Sequence, residues 1–186
     1  MKIYEEELAK CSQNMIHIQL DNDTMKKINN FVNEVVLAKK NEAHHKKDSS
    51  KEHKRFTTGM MGECAIVKYY GYDIDKTIDW TVGESTLYDH ADLRALGLNV
   101  GVKASAMGNF PLVHKKAKHP EIICVRKEPD IVIICGLATE DILNFYQDDT
   151  LVLTPQALGR KTAFYGYEAL LPLPALEELK KRYPIR

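Results

Sequence analysis

Glu63, Asp92 and Lys103 are the residues whose types and placement are best suited to chemistry. Glu63 lies in GMMGECAIVKYYG, with Met60 three residues before it and Val67 four after, so on a helix it shares the face that enters the core. A carboxylate there is costly unless it is paired or holds a cation. Asp92 and Lys103 fall in DHADLRALGLNVGVKAS, residues 89–105, which reads as a β-hairpin turning near Ala95-Leu96-Gly97. With Thr86 to Leu93 and Leu98 to Ser105 as its strands, the two side chains meet near one end of a sheet. Two carboxylates and a lysine around one point suit phosphodiester hydrolysis. A divalent cation such as Mg²⁺, or Mn²⁺ in its place, is held by carboxylate and carbonyl oxygens, neutralises the phosphate and supplies hydroxide near neutral pH. A lysine stabilises the developing charge or positions the attacking water. Plainer roles compete for each residue: a salt bridge for Glu63, a turn for Asp92, an exposed edge position for Lys103.

The elements that must position these residues follow from periodicity. Alternation puts Gly101, Lys103 and Ser105 on one strand face and Val100, Val102 and Ala104 on the other, which packs on the core. A helix capped by Thr57 or Thr58 and ending at Gly71 carries Glu63. Upstream, Met15 to Leu20 alternates as a strand, and Thr24 to about Asn41 has apolar residues at helical spacing. Downstream, Ile122 to Val125 and Asp130 to Cys135 are apolar strands, the second central in a sheet. Thr139 to Phe145 reads as a short helix, Leu151 to Leu153 as a last strand, and Ala175 to Tyr183 as a terminal amphipathic helix. The class is α/β (α+β), a mixed β-sheet flanked by helices. Residues 1–55 read as an N-terminal strand and helix with a basic linker, and 56–186 as the core domain.

Composition bounds the partners. The chain has 26 Lys and Arg against 26 Asp and Glu over 186 residues, so a nucleic-acid surface must be a local patch. Two segments qualify: His44 to Arg55, with Lys46, Lys47, Lys51, Lys54 and Arg55, and the loop from His114 to His119, with Lys115, Lys116 and Lys118. The first also reads as a solvated linker, the commoner fate of a charge run. The four cysteines show no CxxC pairing and no zinc spacing, which points to a reducing, cytoplasmic setting. The N-terminus lacks the apolar stretch of a secretory signal, and no apolar run is long enough to span a bilayer.

On GMMGE, HADL and VGVKAS the chain resembles the PD-(D/E)XK nuclease superfamily. Glu63 matches the first-helix glutamate, Asp92 the metal-binding aspartate, and VGVKAS the strand that bears the acid-x-Lys pair. The resemblance covers about Thr57 to Cys135 and suggests phage or restriction-like members. It implies a restriction-endonuclease-like core and Mg²⁺-dependent DNA cleavage in a bacterial or phage-infected cell. Glu63, Asp92 and the Val102 carbonyl would be ligands, and Ser105 a nucleic-acid contact. Many such proteins act as homodimers. One departure is plain: the acid expected two residues before Lys103 is Gly101. Either Glu63, or after it Asp89 or Glu84, supplies the missing oxygen, or the domain keeps the fold and works as a nucleic-acid-binding or protein-binding factor with weak or no catalysis.

Overall fold

The computed structural model describes residues 3–11, 15–39, 49–82, 92–152 and 159–185. The main sheet has four strands: β1 (Ile16–Gln19), β2 (Gly101–Ala106), β4 (Glu121–Arg126) and β5 (Ile131–Ala138), in the spatial order β1-β5-β4-β2. β4 is antiparallel to β5 and β5 to β1, whereas β2 runs parallel to β4, so the sheet is mixed. A smaller antiparallel sheet holds β3 (Leu112–His114), β7 (Lys161–Phe164) and β6 (Gln147–Asp148), in the order β3-β7-β6.

Alternation along the strands divides the core in two. Val102, Ile122, Cys124, Val132 and Ile134 face α2 (Asn22–Lys39) and α3 (Ser49–Tyr69), joined by Leu179 of α6 (Leu176–Arg182). Ile123, Val125, Ile133 and Cys135 face the other way, onto α1 (Tyr4–Ala9), α5 (Glu140–Phe145) and the small sheet. The short α4 (Ile74–Thr77) follows α3, its first turn capped by the Asp73 carboxylate. Helices therefore cover both faces of a mixed sheet, the α/β arrangement that the pattern predicts. β5 is one of the two inner strands, beside β4, in keeping with its unbroken apolar run. Among the described residues no helix is long and apolar enough to cross a membrane.

Three expectations change. The helix carrying Glu63 starts at Ser49, not at Thr57 or Thr58. Both threonines are buried within it, and Thr57 Oγ1 lies 3.4 Å from His53 Nδ1 one turn back. The end of the supposed basic linker is thus helix, and the boundary expected at residue 55 falls inside α3. β1 also joins the main sheet, so these N-terminal residues share its core.

The hairpin is the second change. Residues 83–91 lie outside the described residues, but Asp92 and Leu93 form a turn rather than a strand, leading into a 3-10 turn over Arg94–Leu96. The chain does reverse at Gly97, yet β2 pairs only with β4 among the described residues. The third is Leu151 to Leu153, of which Leu153 lies outside the described residues: Asp149–Leu151 is a 3-10 turn, and the strand nearby is Gln147–Asp148, made by pairing with β7.

Candidate active site

Gly62 explains why Glu63 reaches the sheet. A Cβ at Gly62 would lie 2.8 Å from Ala104 Cβ and 3.2 Å from Val102 Cγ1, so only a glycine lets α3 rest directly on β2. The next residue, Glu63, is then carried to the side of that strand. It keeps intermediate exposure as a residue, but its carboxyl is desolvated. Burial first, and the nearby charge of Asp92 second, push that carboxyl well above the usual carboxylate range, with Lys103 opposing.

Asp92 sits at the free edge of β2, where its Oδ2 accepts a hydrogen bond from the Val102 amide at 2.6 Å. The Leu93 amide bonds the Val100 carbonyl on the same edge, while the Gly101 amide turns inward to Pro120. Because a strand residue's N–H and C=O point to the same side, the Val102 carbonyl also faces this edge. The three motif elements are therefore brought together without a regular hairpin.

The residue that linear reading missed is Glu121. In the parallel ladder it stands opposite Gly101, so both side-chain directions lie on the face of Lys103. Its Oε1 is 3.6 Å from Lys103 Nζ, close enough for an ion pair and too long for a hydrogen bond. Glu121 is only 3% exposed, and its Oε2 is buried with no hydrogen-bond partner among the described residues. Burial pushes its carboxyl up, Lys103 and His119 pull it back, and Asp92 adds to the rise. A carboxylate is thus present beside Gly101, but on the neighbouring strand. Its only signal in the sequence is an acid at the start of the apolar run EIICVR, a place where strands commonly turn polar.

His119 is the other missed residue. A Cβ at Gly101 would lie 2.8 Å from His119 Cε1, 3.3 Å from His119 Nδ1 and 3.4 Å from Asp92 Oδ2. The imidazole fills the space that the expected acid would need. Around Gly101 the site therefore gathers Asp92, His119, Glu121 and Lys103, with Glu63 approaching from the helix.

The remaining predicted residues fall into separate places. Asp89 and Glu84, the second-choice donors, and Lys46 and Lys47 lie outside the described residues. Lys51, Lys54 and Arg55 are exposed on the first turns of α3, Arg55 bonding Glu52 at 3.0 Å. Lys115 pairs with Asp149 at 2.6 Å, while Lys116 and Lys118 are exposed. Ser105 is buried, 8% exposed, and its Oγ has no hydrogen-bond partner among the described residues, so it is no surface contact here.

As a cation site, the donors have the right character. Carboxylates and a strand carbonyl are the hard oxygens that Mg²⁺ takes, and the orphaned Oε2 of Glu121 is an acceptor in need of a partner. They are not drawn into a closed cage: among the described residues no three His, Cys, Asp or Glu side chains are grouped to hold a metal ion. Mg²⁺ tolerates this better than zinc, since it keeps several waters and uses few protein ligands. The chain matches no family model, no curated protein and no solved structure.

Proposed function

We propose that this protein is a divalent-metal-dependent nuclease of the PD-(D/E)XK type, with a restriction-endonuclease-like core, that hydrolyses phosphodiesters in DNA. The observation that carries the reading is Glu121: it stands opposite Gly101 and pairs with Lys103, which answers the one missing acid of the motif. Asp92, Glu121 and the Val102 carbonyl would hold Mg²⁺ or Mn²⁺, with Glu63 reaching it directly or through water. The ion supplies charge neutralisation at the phosphate and a hydroxide near neutral pH. The chain's own residues do the rest. Lys103 places a positive charge beside the phosphate and orients the attacking water. Asp92, fixed by the Val102 amide, sets the edge along which the phosphate lies. Burial and the nearby Asp92 hold the Glu63 carboxyl above the usual carboxylate range, a cost that a bound cation would offset.

A bacterial or phage-infected cytoplasm fits a DNA substrate and the reduced cysteines, all four of which are free and buried. A homodimer fits cleavage of both strands.

The test is cleavage of supercoiled plasmid and of single-stranded DNA at low salt with Mg²⁺ and with Mn²⁺. Activity abolished by EDTA, and lost in both Lys103→Ala and Glu121→Gln, supports the reading. No cleavage by the parent protein overturns it. One observation favours a second reading, that of a binder of nucleic acid or protein that keeps the fold: the open arrangement of the carboxylates among the described residues. Salt-sensitive DNA binding without cleavage is its signature.

A further inference from the structure

Phe145 ends α5 and is 76% exposed, the most of any large apolar side chain among the described residues. A single exposed aromatic is ordinary on a protein surface. This one is set apart by how it is held. The next ring, Tyr146, rests on the backbone of Gly166, where a Cβ would lie 2.5 Å from Tyr146 Cβ and Cγ. Tyr165 meets Tyr146 edge-on, with 5.7 Å between ring centroids. Phe145 in turn stands edge-on to Tyr146, at 5.0 Å and 69°. One ring contact holds Phe145 in place, and most of its surface stays open.

The basic loop is fastened to the same stretch of chain. Asn144 Oδ1, one residue before Phe145, accepts from the Ala117 amide at 2.9 Å, between Lys116 and Lys118. Gln147 Nε2, two residues after Phe145, donates to the His114 carbonyl at 3.0 Å. Lys115 reaches Asp149 at 2.6 Å. Lys116 and Lys118 are exposed, and among the described residues neither makes an ion pair. Of the acids nearby, Asp149 is matched by Lys115, and the Asp148 carboxylate accepts from the Thr150 amide and hydroxyl. Glu140 and Asp141 lie in the first turn of α5, toward its other end.

The loop also leads into the site. From Ala117 to Glu121 is a span of at most about 14 Å, and His119 between them fills the space at Gly101. Glu121 shares its sheet face with Ile123, against which α5 and the small sheet pack. Phe145 and the Lys103–Glu121 pair therefore stand on one side of the sheet, within reach of a few nucleotides of extended strand.

We propose that Phe145, with Lys116 and Lys118, forms a subsite for unpaired DNA, one base stacking on the ring while the lysines hold flanking phosphates. The proposal rests on the nuclease reading for its link to cleavage, and it makes the substrate single-stranded or splayed DNA. An open aromatic ring accepts any base, and cations alongside it follow the backbone, which is the combination a single strand needs. The bases of a duplex are already stacked, so a duplex gains only the lysine contacts.

The test is fluorescence anisotropy of the full chain with the oligothymidylate dT8 at low salt, in EDTA and again with Ca²⁺. An abasic strand of the same length is the control. The expected result is that Phe145→Ala and Phe145→Leu each weaken dT8 binding about tenfold, whereas Phe145→Trp keeps it. The abasic strand binds the parent and Phe145→Ala alike. Lys116→Gln with Lys118→Gln lowers the salt slope by roughly 1.4 units, two single-strand contacts at about 0.7 each. No binding of dT8 by the parent in either buffer overturns the proposal, as does an equal loss for dT8 and the abasic strand. Phe145→Ala that leaves dT8 affinity unchanged but dissociates the protein in sedimentation assigns the ring to a second copy and overturns it too. If the parent cuts no DNA but its dT8 binding depends on Phe145, the subsite stands and the nuclease reading fails. If DNA is cut and the Phe145 variants bind dT8 as the parent does, the subsite fails and the nuclease stands.

Discussion

The imidazole of His119 occupies the space that a side chain at Gly101 would need, 2.8 Å from where its Cβ would stand. The two residues are coupled by volume, and the coupling gives a prediction. Gly101→Asp, which restores the motif's linear acid, does not restore a site. It collides with His119 and crowds a third carboxylate against Asp92 and Glu121. The expected loss is about 1–3 kcal/mol of stability, the usual cost of overpacking. Adding His119→Ala frees the space and recovers part of that loss, a non-additivity of about 0.5–3 kcal/mol in a double-mutant cycle read by urea unfolding.

The Lys103–Glu121 pair predicts activity. Lys103→Ala and Glu121→Gln each lower kcat by about 10²-fold or more, as expected for removing one preorganised charge at a phosphoryl site. Glu121→Gln keeps the shape of the side chain and leaves the fold intact by circular dichroism. An active Glu121→Gln variant would exclude Glu121 from the site's chemistry.

Glu63 predicts a pH dependence of stability. Its carboxyl is raised by burial and by Asp92, so the folded protein holds the proton more tightly than the unfolded chain does. Stability from this residue is complete at low pH and is lost as pH rises through its folded-state value. Glu63→Gln removes that loss. In EDTA, its stability relative to the parent grows from about pH 4 upward, beginning at the ordinary carboxylate range. A difference that is flat with pH, measured by urea unfolding, would contradict the placement of Glu63.

The same crowding predicts stabilisation by metal. At a Mg²⁺ concentration near one hundred times its Kd, the parent gains about 2.7 kcal/mol, the linkage value for a ligand that binds only the folded state. Asp92→Asn loses most of this gain, and Ca²⁺ in place of Mg²⁺ tests it without cleavage. Thermal melts with and without the ion provide the measurement.

Gly62 predicts a packing effect with a functional consequence. Gly62→Ala brings a methyl to 2.8 Å from Ala104 Cβ, and backbone-borne atoms on both sides leave little room to yield. The helix must lift from β2, costing about 1–3 kcal/mol and moving Glu63 away from Asp92. Activity falls by more than the loss of folded protein accounts for.

What was legible in the sequence was local. MIHIQL is legible by its alternation, DIVIIC by its unbroken apolar run and the stretch after Thr24 by its helical spacing, and β1, β5 and α2 are found there. The small sheet was not legible, because strands of two to four residues carry no period and Leu112–His114 is completed by Lys161–Phe164 far along the chain. The hairpin was read from two strand-like runs about the turn near Ala95-Leu96-Gly97, which would bring Asp92 and Lys103 together. Asp92 instead meets β2 through the Val102 amide, and Lys103 meets Glu121 on the parallel neighbour β4. Glu121 lay beyond linear reading for the same reason: its position opposite Gly101 is a fact of strand register, and register between β2 and β4 is set by the whole sheet.

The bond from the Val102 amide to Asp92 has a consequence for assembly. An edge strand normally offers its outward amides to any strand of another chain, which is how sheets extend across dimers and how they aggregate. On β2 the Val102 donor is already taken, and the Leu93 amide covers the Val100 acceptor. Continuing the sheet on that side would mean dismantling the site. The opposite edge is β1, with His17 and Gln19 exposed, so among the described residues it is the edge through which a sheet shared by two copies could continue, with the Asp92–Glu121 cluster on the far side.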